Sequence, residues 1–345
     1  MKKTEVPEKA DGHHCAPRQY IVTQTLAEQI DAFANIGLKI PEPDFIQNIE
    51  NRLVSALKEI FSRNDDVEII VIPAREQSRE ITTTVNRVRK KFHQPLVLST
   101  CPLLSFGADG RSIHLSRIVD IDGNIIGIGP RPRHKLPSQQ IADLNPEIAD
   151  RDVILVEDGA FTGSTLLYSL RLLLEKRARV QAIVLGIMFP EAEKSIRQVY
   201  QGEIHYCLKP ANPLDWMPSH DFFPFIPNAG RVVGYQLGKI IMPVYLNFAS
   251  ASIAMPYVKP YGKPEWASLP CDHHALNAFS YICLHSAEDI FRRMKDLRGE
   301  AIHVGDIIGS NPATYIPVSH GGYFGFPLED DKVEHLIELD RENQS

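Results

Sequence analysis

Cysteine is scarce in this chain: Cys15, Cys101, Cys207, Cys271 and Cys283 are the five among 345 residues, odd in number and far apart. Such a set is not a disulfide framework, and it points to reduced thiols in a cytoplasmic protein. Long apolar runs are lacking too. None approaches the roughly 18 residues that a membrane-spanning helix requires. Met1-Lys2-Lys3-Thr4-Glu5-Val6-Pro7-Glu8 has two lysines but no apolar stretch behind them, so a secretory leader is not expected. Charge of one sign is not in excess, since 37 Lys and Arg stand against 43 Asp and Glu for a net −6. That mild acidity argues against a chain-wide nucleic-acid footprint. Internal repeats and low-complexity tracts are absent, as are Walker, H-E-x-x-H, G-x-S-x-G and EF-hand patterns. Gly127-Ile128-Gly129 alone is no dinucleotide fingerprint.

What is present is ordinary globular material. Hydrophobic residues make up 43% and charged residues 23%, which rules out an extended disordered chain. The length suggests two domains, or one enlarged by insertions, and the 25 prolines point to long irregular segments. Phe45, Ile46, Ile49, Leu53, Val54, Leu57, Ile60 and Phe61 recur at helical spacing over 44–61, with Asp44 and Gln47 as a capping signal. Strands are expected at 67–72, 96–98, 153–156, 180–188 and 203–208, and helices at 79–92, 164–178 and 190–200. Asp122-Gly123-Asn124 marks the turn of a hairpin over 117–128. Strands alternating with helices predict an α/β fold, a parallel sheet with helices on both faces, in which ligands bind beyond the carboxyl ends of the strands. Residues 1–20 are polar and expected as a mobile arm, with the α/β core over 21–208. Residues 209–345 form a proline- and aromatic-rich region, a hood or acceptor-binding subdomain. Within it a helix over 287–298, capped by Ser286 with Asp289, and a short helix in the charged tail are expected.

One segment carries chemistry. After the apolar strand 153–156 comes Glu157-Asp158-Gly159-Ala160-Phe161-Thr162-Gly163-Ser164-Thr165, and then a helix. Two carboxylates at a strand end can accept hydrogen bonds from vicinal hydroxyls or approach a bound cation. Gly159 and Gly163 permit a tight loop with bare amides, Thr162, Ser164 and Thr165 add hydroxyls, and the positive end of the following helix favours a phosphate. Ribose contacts and phosphate contacts thus lie one loop apart, and a ribose phosphate is the natural guest.

The stretch VILVEDGAFTGST at 153–165 resembles the phosphoribosyl-pyrophosphate motif of the type I phosphoribosyltransferases: four apolar residues, two acidic, three variable, then T-G and two small or hydroxyl residues. The resemblance covers roughly 67–208 and implies that family's parallel-sheet core. It also implies transfer of ribose 5-phosphate from phosphoribosyl pyrophosphate to a nitrogen of an unidentified acceptor. By the same resemblance Glu157 and Asp158 are the catalytic pair at the ribose, and 159–165 the phosphate and ribose cradle. Mg2+ would be the cofactor, carried by the ligand rather than by a protein site and touching Asp158. A pyrophosphate loop is expected at Pro73-Ala74-Arg75-Glu76-Gln77-Ser78-Arg79, with Arg75 and Glu76 as candidates. A mobile basic loop is expected at 129–135, with Arg131, Arg133 and Lys135 closing over the diphosphate. The partners expected are that donor and a small-molecule acceptor, with no membrane and no nucleic acid; a homodimer stays open.

Two departures concern the acceptor. Purine-specific members share an aromatic followed by V-V-G-Y-x-L-D, whereas this chain has Arg231-Val232-Val233-Gly234-Tyr235-Gln236-Leu237-Gly238, leaving Val233 and Tyr235 as acceptor candidates. Phe161 stands where the purine 6-oxo enzymes place an acid–base Asp. Trp216, Phe222, Phe223 and Phe225 could stack on an acceptor or fill a core. The rival to an enzyme is a regulator that keeps the pocket as a ribose-phosphate or nucleotide sensor. Cys271, His273, His274, Cys283 and His285 are a zinc-like inventory, but their intervals match no closed zinc spacing and satisfied buried residues are the alternative. His13-His14-Cys15 lies in the expected arm.

Overall fold

A computed structural model of the chain describes residues 16–62, 66–101, 103–104, 106–107, 110–245, 252–270, 272–308, 313–315, 318–319, 323–324 and 332–342. In order, the first elements are β1 (Arg18–Gln24), α1 (Leu26–Ala34), α2 (Pro43–Phe61), β2 (Val67–Pro73) and α3 (Ala74–Arg89). Next come β3 (Leu96–Ser99), β4 (Gly110–Ser112), β5 (Leu115–Val119), β6 (Ile125–Pro130) and α4 (Pro137–Ile148). The middle holds β7 (Asp152–Ala160), α5 (Ser164–Glu175), β8 (Arg179–Met188), α6 (Pro190–Arg197) and β9 (Glu203–Leu208). Then follow β10 (Pro213–Pro218), β11 (Arg231–Leu237), β12 (Ile240–Pro243), β13 (Ser252–Met255), α7 (His273–Arg298), α8 (Val304–Ile308), β14 (Ala313–Tyr315), β15 (Val318–Ser319), β16 (Tyr323–Phe324) and α9 (Val333–Glu342).

The fold is α/β. Its centre is a five-stranded sheet in the order β4-β3-β7-β8-β9, every pair parallel. Leu155, Val156, Val184 and Leu185 are fully buried, as apolar strands covered on both faces must be. Leu166, Leu170 and Leu173 of α5 pack on one face with Ile141 of α4 and Ile196 of α6. Ile81, Val85 and Val88 of α3 cover the other. Each such leucine contributes about 1.5–3 kcal/mol by burial. From β3 the chain steps outward to β4, then returns to β7 and runs the opposite way through β8 and β9. The order reverses between β3 and β7, and a crevice opens at such a reversal.

A second parallel sheet, β10-β1-β2, joins the first through Ile21, Ile70, Ile72, Ile187, Phe189 and Trp216. A third sheet, β14-β13-β11-β5-β6 with β12 on β11, contains the expected hairpin as β5 and β6. Its turn is closed by Gly123 N–H to Asp120 O at 3.0 Å. Pairings of β10 with β1 and β11 with β5 tie residues beyond 208 to those before it, and the largest core unites α1 and α2 with α7 and the segment 222–229. Among the described residues no helix is long and apolar enough to cross a membrane.

Several expectations are corrected. β1 begins at Arg18, so residues 18–20 are strand rather than arm. α2 starts at Pro43 with Glu42 in the N-cap position and no side-chain cap bond from it, so Asp44 and Gln47 lie inside the helix rather than at its cap. α3 follows β2 without a loop, because Pro73 takes an extended φ/ψ that ends the strand and starts the helix at once. Helix 287–298 is only the end of α7, which starts after Asp272, whose carboxylate accepts from the His274 and Ala275 amides; Ser286 is buried inside it.

Candidate active site

β7 is longer than its apolar run. Pairing with β8 continues through Glu157↔Leu185, Gly159↔Ile187 and Ala160↔Met188, so 157–160 are strand and only 161–163 form the turn into α5. The carboxyl ends of β3 and β7 open on a cavity of about 460 Å³. Glu157, Asp158, Gly159, Phe161, Thr162 and Thr165 all line it.

Both carboxylates are held by the residues that follow β3. The Thr100 hydroxyl donates to Glu157 Oε2, and the Cys101 thiol donates to Asp158 Oδ2 at 3.2 Å. From α3, Gln77 Nε2 donates to the Asp158 carbonyl oxygen at 2.9 Å, which fixes the end of the strand. Burial, then the neighbouring Asp158, push the Glu157 carboxyl well above the usual carboxylate range, against the pull of the Thr100 hydroxyl. Burial likewise pushes the Cys101 thiol up, so Cys101 is a hydrogen-bond donor here rather than a thiolate.

Trp216 of β10 lies against Gly159: a Cβ there would meet its ring at 2.5 Å. Only glycine lets β10 close on β7 in this way. The indole Nε1 donates to Thr23 Oγ1 at 2.8 Å. At the turn, Gly163 has φ +78° and stands at the N-cap of α5 with no side chain of its own to cap it; the Ser164 amide donates to Thr162 Oγ1 at 3.4 Å. The Thr162 hydroxyl donates to Ser164 Oγ at 3.1 Å. Phe161 packs edge-on against Phe189 with ring centroids 4.8 Å apart, a packing role at one wall.

Of the basic candidates only Arg131 lines the cavity. Its Nη1 donates to Asn228 Oδ1 at 3.0 Å, while its buried Nε has no hydrogen-bond partner in the protein. Burial holds Arg131 below the usual arginine value, offset by Cys101, Asp158, Glu157 and Asp221. Arg133 lies outside the lining, at φ +66° with its amide donating to Tyr245 Oη at 2.9 Å. Lys135 is exposed and paired with Asp143 at 2.7 Å. In the 129–135 segment Arg131 N donates to His114 O at 3.0 Å, and His134 stacks on His114 with centroids 3.7 Å apart. The expected pyrophosphate loop is the first turn of α3. There Arg75 is exposed near Glu28 at 3.7 Å and Glu76 lies near Arg79 at 3.6 Å, and neither lines the cavity.

The acceptor candidates also move. Val233 is buried among Val119, Ile253 and Met255, and Tyr235 is half exposed on the far end of β11; Arg231 and Val232 line the cavity instead. Phe222, Phe223 and Phe225 belong to the largest core, leaving Trp216 as the member of that set at the cavity. Cys283 is buried in α7, His285 faces Glu288 and Asp289, His273 meets Lys259 at 3.4 Å, and Cys271 lies outside the described residues. Among the described residues no group of three or more His, Cys, Asp or Glu side chains could hold a metal ion.

Sequence reasoning missed Thr100, Cys101 and Asn228, which reach the site through tertiary contact, and it placed Gln77 in a pyrophosphate loop rather than on the Asp158 carbonyl. It also missed Asp215, His220, Asp221, Tyr257 and Trp266, which line the same cavity. One signal for the first two was available: Thr100 and Cys101 directly follow a strand. Burial and then Arg131 push the His220 imidazole down to about 3, so it is neutral; burial pushes Asp221 up to about 7.

No protein-family model matches the chain, and no curated protein matches it. Solved structures are similar over part of its length. Orotate phosphoribosyltransferase of Mycobacterium tuberculosis, in complex with 5-phospho-alpha-D-ribosyl 1-diphosphate, is 11% identical, over 47% of this chain and 91% of that one, with a TM-score of 0.25. A hypothetical protein of Neisseria gonorrhoeae with bound ppGpp is 10% identical over 42% and 84%, TM-score 0.29. The protein TT1426 of Thermus thermophilus is 14% identical over 40% and 84%, TM-score 0.27. At these identities and scores the likeness assigns no ligand or activity to this chain.

Proposed function

We propose that the chain is a phosphoribosyltransferase of type I kind, moving ribose 5-phosphate from phosphoribosyl pyrophosphate to a nitrogen of a small-molecule acceptor. The observation that carries this reading is the placing of two carboxylates, Glu157 and Asp158, beside the start of α5, with Thr162 and Thr165, on one cavity at the sheet's reversal. Asp158 and Glu157 take the ribose hydroxyls. The α5 amides with Thr162, Ser164 and Thr165 take the 5-phosphate. Arg131, with its unpartnered Nε, takes the diphosphate.

In the reaction the acceptor nitrogen bonds to C1 as the C1–oxygen bond breaks, and pyrophosphate leaves with the electron pair. Negative charge at the ribose stabilises the cationic transition state, so catalysis is positioning and electrostatics. Two carboxylates are too few to complete an octahedral magnesium shell, yet their hard oxygens suit the ion. Magnesium would therefore bind through the donor's diphosphate with Asp158 in contact, neutralising the leaving group.

The test is pyrophosphate release when purified protein, Mg2+ and the donor meet a panel of nitrogenous bases. Release that depends on both donor and base is expected. Donor binding without any release would favour the sensor instead, for which the packing of Phe161 on Phe189 speaks.

A further inference from the structure

The donor assignment uses one wall of the cavity and leaves the other. That wall is built after β10, where a short 3₁₀ turn (Ser219–Phe222) carries Asp221, from the start of β11, which carries Arg231, and from Tyr257 and Trp266. Arg231 is buried and fixed: its guanidinium carbon lies 4.5 Å from the Trp266 ring centroid and 5.5 Å from that of Tyr257, and its Nε donates to Tyr257 Oη at 3.3 Å. Asp221 is fixed as firmly. Its Oδ1 accepts from the Gly230 amide at 2.8 Å, and its carbonyl oxygen accepts from the Tyr257 amide at 2.9 Å. A carboxyl and a guanidinium therefore line the same cavity as Glu157 and Asp158, with Tyr257, Trp266 and Trp216 among its aromatic lining.

The transfer needs a group to take the acceptor's proton, and Phe161 has none to offer. We propose, resting on the phosphoribosyl-transfer reading, that Asp221 is the acid–base residue for the acceptor, a planar N–H heterocycle whose adjacent carbonyl or carboxylate oxygen is held by Arg231. As the ring nitrogen bonds to C1 and the C1–oxygen bond breaks, the N–H proton passes to the Asp221 carboxylate and the electron pair leaves with pyrophosphate. His220 is unsuited to this task, because its Nδ1 is engaged by Thr25 Oγ1 at 2.7 Å and burial with Arg131 pushes it down to about 3. Asp221 sits near neutrality, at about 7, where a carboxyl both accepts and returns a proton efficiently. Burial raises it; the Gly230 amide, Arg231, Arg131 and Arg117 oppose. Tyr257 and Tyr20 also face it, as does His220 Nε2 at 3.7 Å.

The experiment uses the full chain and two readouts in parallel: calorimetric titration of Mg2+ and phosphoribosyl pyrophosphate, and initial rates of pyrophosphate release against pH. The heterocycle panel is graded by whether a carbonyl or carboxylate adjoins the N–H. Asp221→Asn keeps the shape and the oxygen that accepts from Gly230. It should leave donor affinity unchanged, lower kcat by roughly 100- to 10,000-fold and abolish the ascending limb of the pH profile. Asp221→Glu, a safeguard should the amide fold poorly, should keep that limb with a displaced midpoint. Arg231→Lys should raise the KM for the acceptor more than it lowers kcat. Wild-type rates and pH profile in Asp221→Asn would overturn the proposal, and so would a donor-bound chain that neither binds nor converts any heterocycle of the panel. Failure of the wild-type chain to bind the donor would overturn the underlying reading instead.

Discussion

Replacing Gly159 with Ala places one methyl group where β7 and β10 touch. The added Cβ would lie 2.5, 2.7 and 3.0 Å from three carbons of the Trp216 ring. The ring has little freedom to yield, because its Nε1 is bonded to Thr23 Oγ1 at 2.8 Å and β10 is paired to β1 along its length. Overpacking of this kind costs about 1–3 kcal/mol, and breaking the indole hydrogen bond adds about 1 kcal/mol. The variant should therefore show a lower urea midpoint at an unchanged m-value. Its tryptophan emission should shift, and Trp216 is one of only two such residues in the chain. Gly163→Ala is the contrasting case: its Cβ would meet only Ala192 at an ordinary 3.5 Å, but φ is +78°. Its loss of about 1–2 kcal/mol comes from left-handed backbone alone, with emission unchanged. A Gly159→Ala protein with wild-type midpoint and emission would refute the packing argument.

Glu50 is buried in α2, accepting from Ser219 Oγ at 2.7 Å and the Leu26 amide at 2.9 Å, and burial raises its carboxyl to about 7. A carboxyl raised in the folded state stabilises fully below its unfolded value, and that stability is lost as pH rises through the folded one. Between about pH 4.5 and 7 this group alone should remove about 3 kcal/mol. Glu50→Gln should flatten that decline in denaturation midpoints; an unchanged slope would contradict it. For the basic segment, Arg131→Ala should weaken donor binding and lessen its salt dependence. Lys135→Ala should leave both as they were and alter stability by under about 1 kcal/mol, because its exposed pair with Asp143 is weak. Equal effects of the two substitutions on titration would undo the assignment of Arg131.

Local chemistry is legible where it is written in consecutive residues. The apolar four at 153–156, the acids after them and Gly163 before a leucine-rich helix mark strand, site and helix together. Pro73 reads in sequence as the end of a strand and the start of a loop. In the structure it ends β2 and starts α3 in the same step, which moves Arg75 and Glu76 onto a helix surface. α7 reads too short because its buried stripe runs through Ser280, Cys283 and Ser286 as well as Leu276 and Phe279, which weakens the apolar period. The rest of the cavity lining is illegible for a different reason. Asp221, Arg231, Tyr257 and Trp266 meet through sheet pairing and turns between segments of weak periodicity, and no spacing along the chain encodes that meeting.

The measurement that bears most directly on the account is calorimetric titration of phosphoribosyl pyrophosphate with Mg2+ into the wild-type chain and into Glu157→Gln with Asp158→Asn. The double variant keeps an oxygen to accept from Thr100 and from Cys101, so its melting curve should match the wild type. Binding by the wild type, and its loss together with pyrophosphate release in the folded double variant, is the predicted result. Equal binding by both proteins, or none by the wild type, would contradict the claim that the end of β7 is a ribose-phosphate site.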